Sequence, residues 1–283
     1  MMSEPSTDRL ASVRADGRML WGVVAPTGFV ALSHRFTHWA GLRDVIAAGA
    51  VDTVLDYGRG MEPSHAPGAF EWLPPVPDPE KIVSAHGGQV QGSEAGPGEE
   101  PSLFPRFSRS FTGHEQPLIR PGDCRDMSAT AALAAVIGIG GRRINETHAL
   151  GHIAALTLCA DTSVNAGGCD TGSSRAWRGN WEHSAAIGPW LVAYREAAQL
   201  AGIGPQMRVN GAACGDGHGQ DMASSFARLI AAVSTHTTLV PGDIIVVGGA
   251  GPAAPLQGGD RVEVSAAGIG ALRNVVAAGD GSG

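Results

Sequence analysis

Glu182 and His183 stand side by side in the stretch WRGNWEHSAAIGPW. An acid beside a base can give and take protons in general acid–base chemistry. His148 and His152 lie four residues apart, a spacing that can bind a metal on a helix. No third ligand accompanies them, and two histidines on a polar face is the simpler reading. Cys124, Cys159, Cys169 and Cys214 show no paired metal-ligand spacing and read as free thiols, with a nucleophilic role for one of them as the alternative. The stretch SATAALAAVIG, residues 128–138, raises the opposite question. It runs into an apolar strand, Leu133 to Ile137, but its first half is Ser, Ala and Thr, which neither hold a metal strongly nor move a proton at neutral pH.

These residues must be positioned by a chain of 283 residues, enough for one large domain or a main domain with a small one. A hydrophobic content of 43% beside 17% charged residues describes a globular protein. The net charge of -7 argues against nucleic acid or an acidic membrane as partner, since both call for a basic face. No run of about eighteen apolar residues offers a membrane span. The N-terminal MMSEPSTDRLASVRADG lacks the apolar centre of a signal peptide, so the expected location is cytoplasmic. The 41 glycines fit many tight turns between short strands.

Residues 10–32 read as a β-meander, with turns at Asp16-Gly17 and Pro26-Thr27-Gly28. LRDVIAAGAV then places Leu42, Val45 and Ile46 at helical spacing. WLPPVPDPEK, 72–81, holds four prolines and reads as the join between a small N-terminal α/β domain, 1–75, and a larger domain, 76–283. Residues 87–101 have no hydrophobic periodicity and read as a loop, a candidate lid. Strand-like runs follow at LFPRF, ALAAVIG, HIAALTLC, GPWLVA, MRVNG, DIIVVGG and RVEVSAAG. Between them, INETHALGHI and DMASSFARLIAAVS read as helices capped by Asn145 and Asp221. The second puts Phe226, Leu229, Ile230 and Val233 on one face. Strands outnumber helices too strongly for a doubly wound sheet, and the fold class expected is mainly β (α+β).

The order of segments resembles the fumarylacetoacetate hydrolase (FAH) superfamily. The matching pieces are ALAAVIG, ALTLCADTSV, IGPWLV, VNG, MASSFARLIAAVS, TTLVPGDIIVVGG, GGDRVEV and GIGALRNVV, in the family's order and spacing. RADGRMLWGVV followed by LPPVPDPEKIV is similar to the small domain and lead-in strand of two-domain members. The resemblance implies a distorted β-roll of packed sheets and a dimer. It also implies cleavage, decarboxylation, hydration or tautomerisation of small 2-oxo and β-diketo acids. In the family a Mg or Mn ion, held by two glutamates of an E-x-E-L pattern and a later aspartate, stabilises the enolate oxygens as a Lewis acid.

This chain departs from that pattern where the chemistry should be. The two glutamates fall on Thr130 and Ala132, and neither replaces a carboxylate. The aspartate is kept as Asp161 in CADTSV, without the usual asparagine and arginine around it. The family's N-Y-x-x-H histidine falls near Gly92, with His86 a few residues earlier. The lysine before GPW falls on Gly179 or Asn180, Glu182 stands where aspartate is usual, and the T-G-T-P-x-G loop has become VGGAGPA. The resemblance therefore implies a β-roll whose standard metal site is lost. No cofactor is expected; Mg or Mn returns only if the alignment at Thr130 and Ala132 is wrong.

Two functions are compatible with this. One is a metal-independent enzyme on a small enolisable 2-oxo or β-dicarbonyl compound, performing proton transfer, cyclisation or isomerisation, decarboxylation or C–C cleavage. Asp161 with Glu182 or His183 would move the proton. Arg106, where the family carries a basic residue, would clamp a substrate carboxylate by two parallel hydrogen bonds. His86 and Trp181 (or Trp177) would help bind the substrate. The other is an inactive paralogue that binds a ligand or stabilises a partner. The expected partners are the small oxo acid or enol, a second copy in a homodimer, or a homologous subunit; neither nucleic acid nor membrane is expected.

Overall fold

Asp16 and Gly17 turn the first hairpin at φ 50° and 71°, the conformation that a two-residue turn of type I′ requires. They join β1 (Arg9–Ala15) to β2 (Arg18–Ala25), and Pro26-Thr27 leads on to β3 (Gly28–Ala31), giving the expected meander. The computed structural model describes residues 8–85, 103–122, 124, 126–165, 177–214, 221–248, 251 and 253–279. The single helix expected from residue 42 is two: α1 (Leu42–Ala47) and α2 (Val51–Gly58). Gly49, at φ 64°, ends the first. Leu42, Val45 and Ile46 are buried on one face, as their spacing predicts.

After β4 (Glu71–Trp72) and the proline-rich stretch come β5 (Ile82–Ala85), β6 (Phe104–Arg106), β7 (Phe111–Thr112) and β8 (Leu118–Arg120). The centre of the molecule is built by β9 (Asp126–Ile137), β10 (Ile153–Asn165) and β11 (Ala185–Ala193). The C-terminal part supplies β12 (Gln206–Val209), β13 (Ala212–Ala213), α3 (Met222–His236), β14 (Ile244–Gly248), β15 (Ala254–Pro255), β16 (Arg261–Ala266) and β17 (Gly270–Ala278). Asp221 caps α3 by accepting the Ser224 N–H at 3.1 Å. The run INETHALGHI forms a 3-10 helix, Glu146–His152, rather than an α-helix, although Asn145 caps it as expected. The run is seven residues long and gives way to β10 at once, which suits the tighter turn.

The strands make a mainly β architecture of two sheets. The twelve-stranded sheet follows β3-β2-β1-β11-β10-β9-β14-β5-β6, with β4, β7 and β15 beside β1, β11 and β9; the second runs β13-β12-β16-β17-β8. The large sheet crosses the expected boundary at residue 75, because β1 pairs with β11 through Arg9 with Val192 and Leu10 with Leu191. Strand β14 is pinned parallel to β5 by Asp243, whose side chain is fully buried. Its Oδ1 accepts the Lys81 N–H at 2.9 Å and its Oδ2 the Val240 N–H at 2.8 Å, with Lys81 Nζ at 3.2 Å.

Side chains alternate across a strand, so β9 serves two cores. Met127, Leu133 and Ile137 meet Phe226, Leu229, Ile230 and Val233 of α3 and the inner residues Val262, Val264 and Leu272 of the small sheet. Ala132, Ala134 and Val136 face the opposite side, in the core that also holds Cys159, Ile187, Phe111 and the N-terminal helices. Burial on both faces explains the unbroken apolar run Leu133–Ile137.

Candidate active site

The register of β9 and β10 decides what Asp161 faces. Thr130 lies directly opposite Asp161, Ala132 opposite Cys159 and Ser128 opposite Ser163. Cross-strand partners share a face of the sheet, so these six residues line one strip. Arg106 of β6, opposite Ile82 of β5, reaches the same strip from the sheet's end and forms an ion pair through Nη1 with Asp161 Oδ1. Both residues are buried, at 6% and 2% exposure. The Arg106 Cζ sits 4.8 Å from the centre of the Phe111 ring, a cation–π arrangement. Two further donors of the guanidinium, Nε and Nη2, have no hydrogen-bond partner among the described residues.

Burial pushes the Arg106 guanidinium down to about 10, with Cys159 acting in the opposite direction. It therefore remains a cation at neutral pH. Burial pushes the Cys159 thiol up to about 12, although Arg106 pulls it down. A thiol at that value is not a nucleophile, which removes the cysteine alternative at this position. Cys124 is also buried, Cys214 is partly exposed, and neither forms a disulfide among the described residues.

Sequence reasoning placed Asp161 and Arg106 in one site, and they meet. Glu182 instead turns to Arg109 on the surface: the guanidinium Nε donates to Oε1 at 2.9 Å, and Arg109 holds the carboxyl below its usual range. His183 is exposed at φ 53°, with its N–H donated to Arg109 O. Glu182 and His183 therefore sit together on an exposed turn, with Glu182 paired to Arg109 rather than to the buried Arg106–Asp161 pair. Trp181 is partly buried against the main core, which claims its ring; Trp177 is exposed and lies 5.7 Å from Phe107. His86 and Gly92 lie outside the described residues, as do Cys169, His218 and the candidate lid. At the expected lysine position, Gly179 lies against Arg106 and Asn180 bridges the Pro105 carbonyl and the Phe107 N–H. Sequence reasoning missed Phe111, and it singled out Gly179 only as one of two places for an absent lysine. Cys159 was recoverable from the period of two that runs back from Asp161.

Residues 80–277 match the family profile described as fumarylacetoacetate (FAA) hydrolase C-terminal. The chain belongs to the fumarylacetoacetate hydrolase family. It is 29% identical over 185 residues to the 4-hydroxyphenylacetate degradation bifunctional isomerase/decarboxylase of Salmonella dublin, covering 64% of this chain and 42% of that one. Over 215 residues it is 27% identical to a mitochondrial oxaloacetate tautomerase of Rattus norvegicus, covering 72% of this chain and 69% of the other. The match thus spans less than half of the Salmonella enzyme. Its fold is that of a probable 2-hydroxyhepta-2,4-diene-1,7-dioate isomerase from Mycobacterium abscessus, with a TM-score of 0.77 at 22% identity over 96% of this chain and 99% of the other. Members of this family act as isomerases, decarboxylases and hydrolases on small oxo acids.

The family's divalent ion can be tested against the residues present. Its two glutamate positions hold a hydroxyl and a methyl group, Thr130 and Ala132, and its aspartate, Asp161, carries a guanidinium. Among the described residues no group of three His, Cys, Asp or Glu could hold a metal ion. Carboxylate oxygens are the usual protein anchors of a hard dication, and at these three positions the described residues offer only Asp161, already paired with Arg106.

Proposed function

We propose that this protein is a metal-independent member of the family that moves a proton on a small enolisable 2-oxo acid. The observation that carries this is the buried Arg106–Asp161 pair, in which a guanidinium stands beside the carboxylate and two of its donors have no hydrogen-bond partner among the described residues. A substrate carboxylate or 2-oxo oxygen accepts from Nε and Nη2, a planar fork suited to two parallel hydrogen bonds. Asp161 takes a proton from the carbon next to the carbonyl. The negative charge that develops on the enolate oxygen is met by Arg106, already in place and shielded from water. Return of the proton to another carbon or to the oxygen completes an isomerisation or tautomerisation. Thr130, opposite Asp161, offers a hydroxyl to the same substrate.

The family's membership in isomerase and tautomerase chemistry supports the reaction class, and the donor set at Thr130 and Ala132 supports the metal-free form. The test is deuterium wash-in at C3 of pyruvate and other 2-oxo acids, the carbon next to the carbonyl, followed by NMR with EDTA present. Exchange by the wild type and none by Asp161→Asn is expected. Exchange that appears only after Mg or Mn is added would overturn the metal-free mechanism. A protein that binds oxalate yet exchanges no 2-oxo acid would favour the ligand-binding paralogue instead.

A further inference from the structure

Gly179 packs on the Arg106 side chain more closely than any other residue type would allow. A Cβ at this position would lie 2.9 Å from both Cζ and Nε of Arg106 and 3.1 Å from Nη1. Nearly equal distances to three atoms put that point over the face of the guanidinium rather than at its edge. Backbone conformation does not demand glycine here, since Gly179 is not among the residues at positive φ. The neighbouring chain is tied down on either side: Arg178 O accepts the Val164 N–H at the end of β10, and Asn180 bonds to both flanks of Arg106 on β6. The segment cannot simply lift away. Gly179 therefore presses bare backbone on the guanidinium face, while the Nε and Nη2 edges keep no protein partner among the described residues.

We propose that Gly179 is a positioning residue that seats the Arg106 guanidinium, so that its free edge presents two N–H groups to a ligand carboxylate. This rests on the reading of Arg106 as the anion clamp. A methyl group at 179 displaces the far end of a long side chain and not the backbone, so the fold tolerates it and the clamp does not. The role fits a planar carboxylate ligand, whose two oxygens need both donors in one plane.

The experiment is calorimetric titration of the full chain with oxalate in EDTA, for the wild type and Gly179→Ala, with thermal melts of both and of Arg106→Ala and Gly179→Ala/Arg106→Ala. The expected result is oxalate binding by the wild type, at least about tenfold weaker binding by Gly179→Ala, and a Tm close to that of the wild type. Wild-type protein that fails to bind oxalate refutes the clamp itself and this inference with it. Wild-type binding with unchanged affinity in Gly179→Ala refutes the positioning role and leaves the clamp standing. If Gly179→Ala melts far below the wild type, the Arg106→Ala background decides. A loss that disappears there comes from the displaced guanidinium, as proposed, whereas one that persists means that the glycine serves only the fold.

Discussion

Asp161→Asn should lower stability and tighten oxalate binding at once. The substitution keeps the shape and one acceptor oxygen for Nη1 but removes the only charge paired with Arg106 among the described residues. Removing one partner of a buried ion pair costs about 3–5 kcal/mol, because the other charge stays out of water. Arginine cannot escape by releasing its proton: even lowered to about 10, Arg106 is still charged at pH 7. The loss should therefore persist across pH 6–8. For a chain of this size each kcal/mol moves Tm by about 2–4 °C, so a fall of roughly 6–20 °C is expected. The same change removes a negative charge from beside the anion's donors. A gain of about 1.4 kcal/mol, or tenfold in affinity, follows from one screened charge–charge term. Oxalate at 100 times its Kd adds about 2.7 kcal/mol of stability, which should recover much of the lost Tm. Thermal melts and titrations with EDTA present measure both quantities. An unchanged Tm would refute the energetic account of the pair, and unchanged or weaker oxalate binding would refute Arg106 as the anion site.

Stability should fall in mild acid through His114, whose Nδ1 accepts the Arg273 N–H at 3.0 Å. Burial pushes this imidazole down to about 4, opposed by Glu115 and assisted by Arg273. It stays neutral in the fold while the unfolded chain takes its proton below about 6.5, so its contribution is complete above pH 6.5 and is lost as pH falls towards 4. The slope is about 1.4 kcal/mol per pH unit at its steepest, and His114→Gln should flatten Tm against pH in that window. Asp243→Asn should cost about 2 kcal/mol in urea unfolding, because an amide nitrogen cannot accept the Lys81 or Val240 N–H and a buried donor is left unpaired. Gly113→Ala should cost about 1–3 kcal/mol in the same assay, since its Cβ would lie 2.3 Å from the Trp72 carbonyl oxygen, a backbone atom that cannot step aside.

Most strands and α3 were legible in the sequence because each carries its own local signal: alternation in β16, a cap followed by helical spacing at Asp221. The Asp16-Gly17 turn was legible for the same reason. The break at Gly49 was harder, since Leu42, Val45 and Ile46 look the same in one long helix or in a short first one. The site was half legible. Asp161 and Arg106 were each found by resemblance, but their pairing joins residues 55 apart in sequence, and only the fold brings them together. Glu182 and His183 are adjacent in sequence, but adjacency gave no sign of the exposed turn that holds them or of the Arg109 partner that Glu182 takes. Gly179 was legible only as a place where a lysine is lacking; its close packing on Arg106 was not, because a residue whose use is the space it leaves has no signature of its own.

Among the described residues β6 ends the large sheet, and a sheet end is where another chain can add a strand. Three residues, Phe104, Pro105 and Arg106, form it. Proline there has no N–H to offer, the Arg106 charge points inward, and the Asn180 amide occupies the Pro105 carbonyl and the Phe107 N–H on the flank. The terminal strand is thus short, charged and stoppered by a side chain. Replacing Asn180 with an aliphatic residue would bare those two backbone groups, and soluble protein should then be lost to concentration-dependent self-association. The arginine that gives this protein its buried cation thereby also supplies an inward-pointing charge of the kind that discourages strand addition at a sheet end.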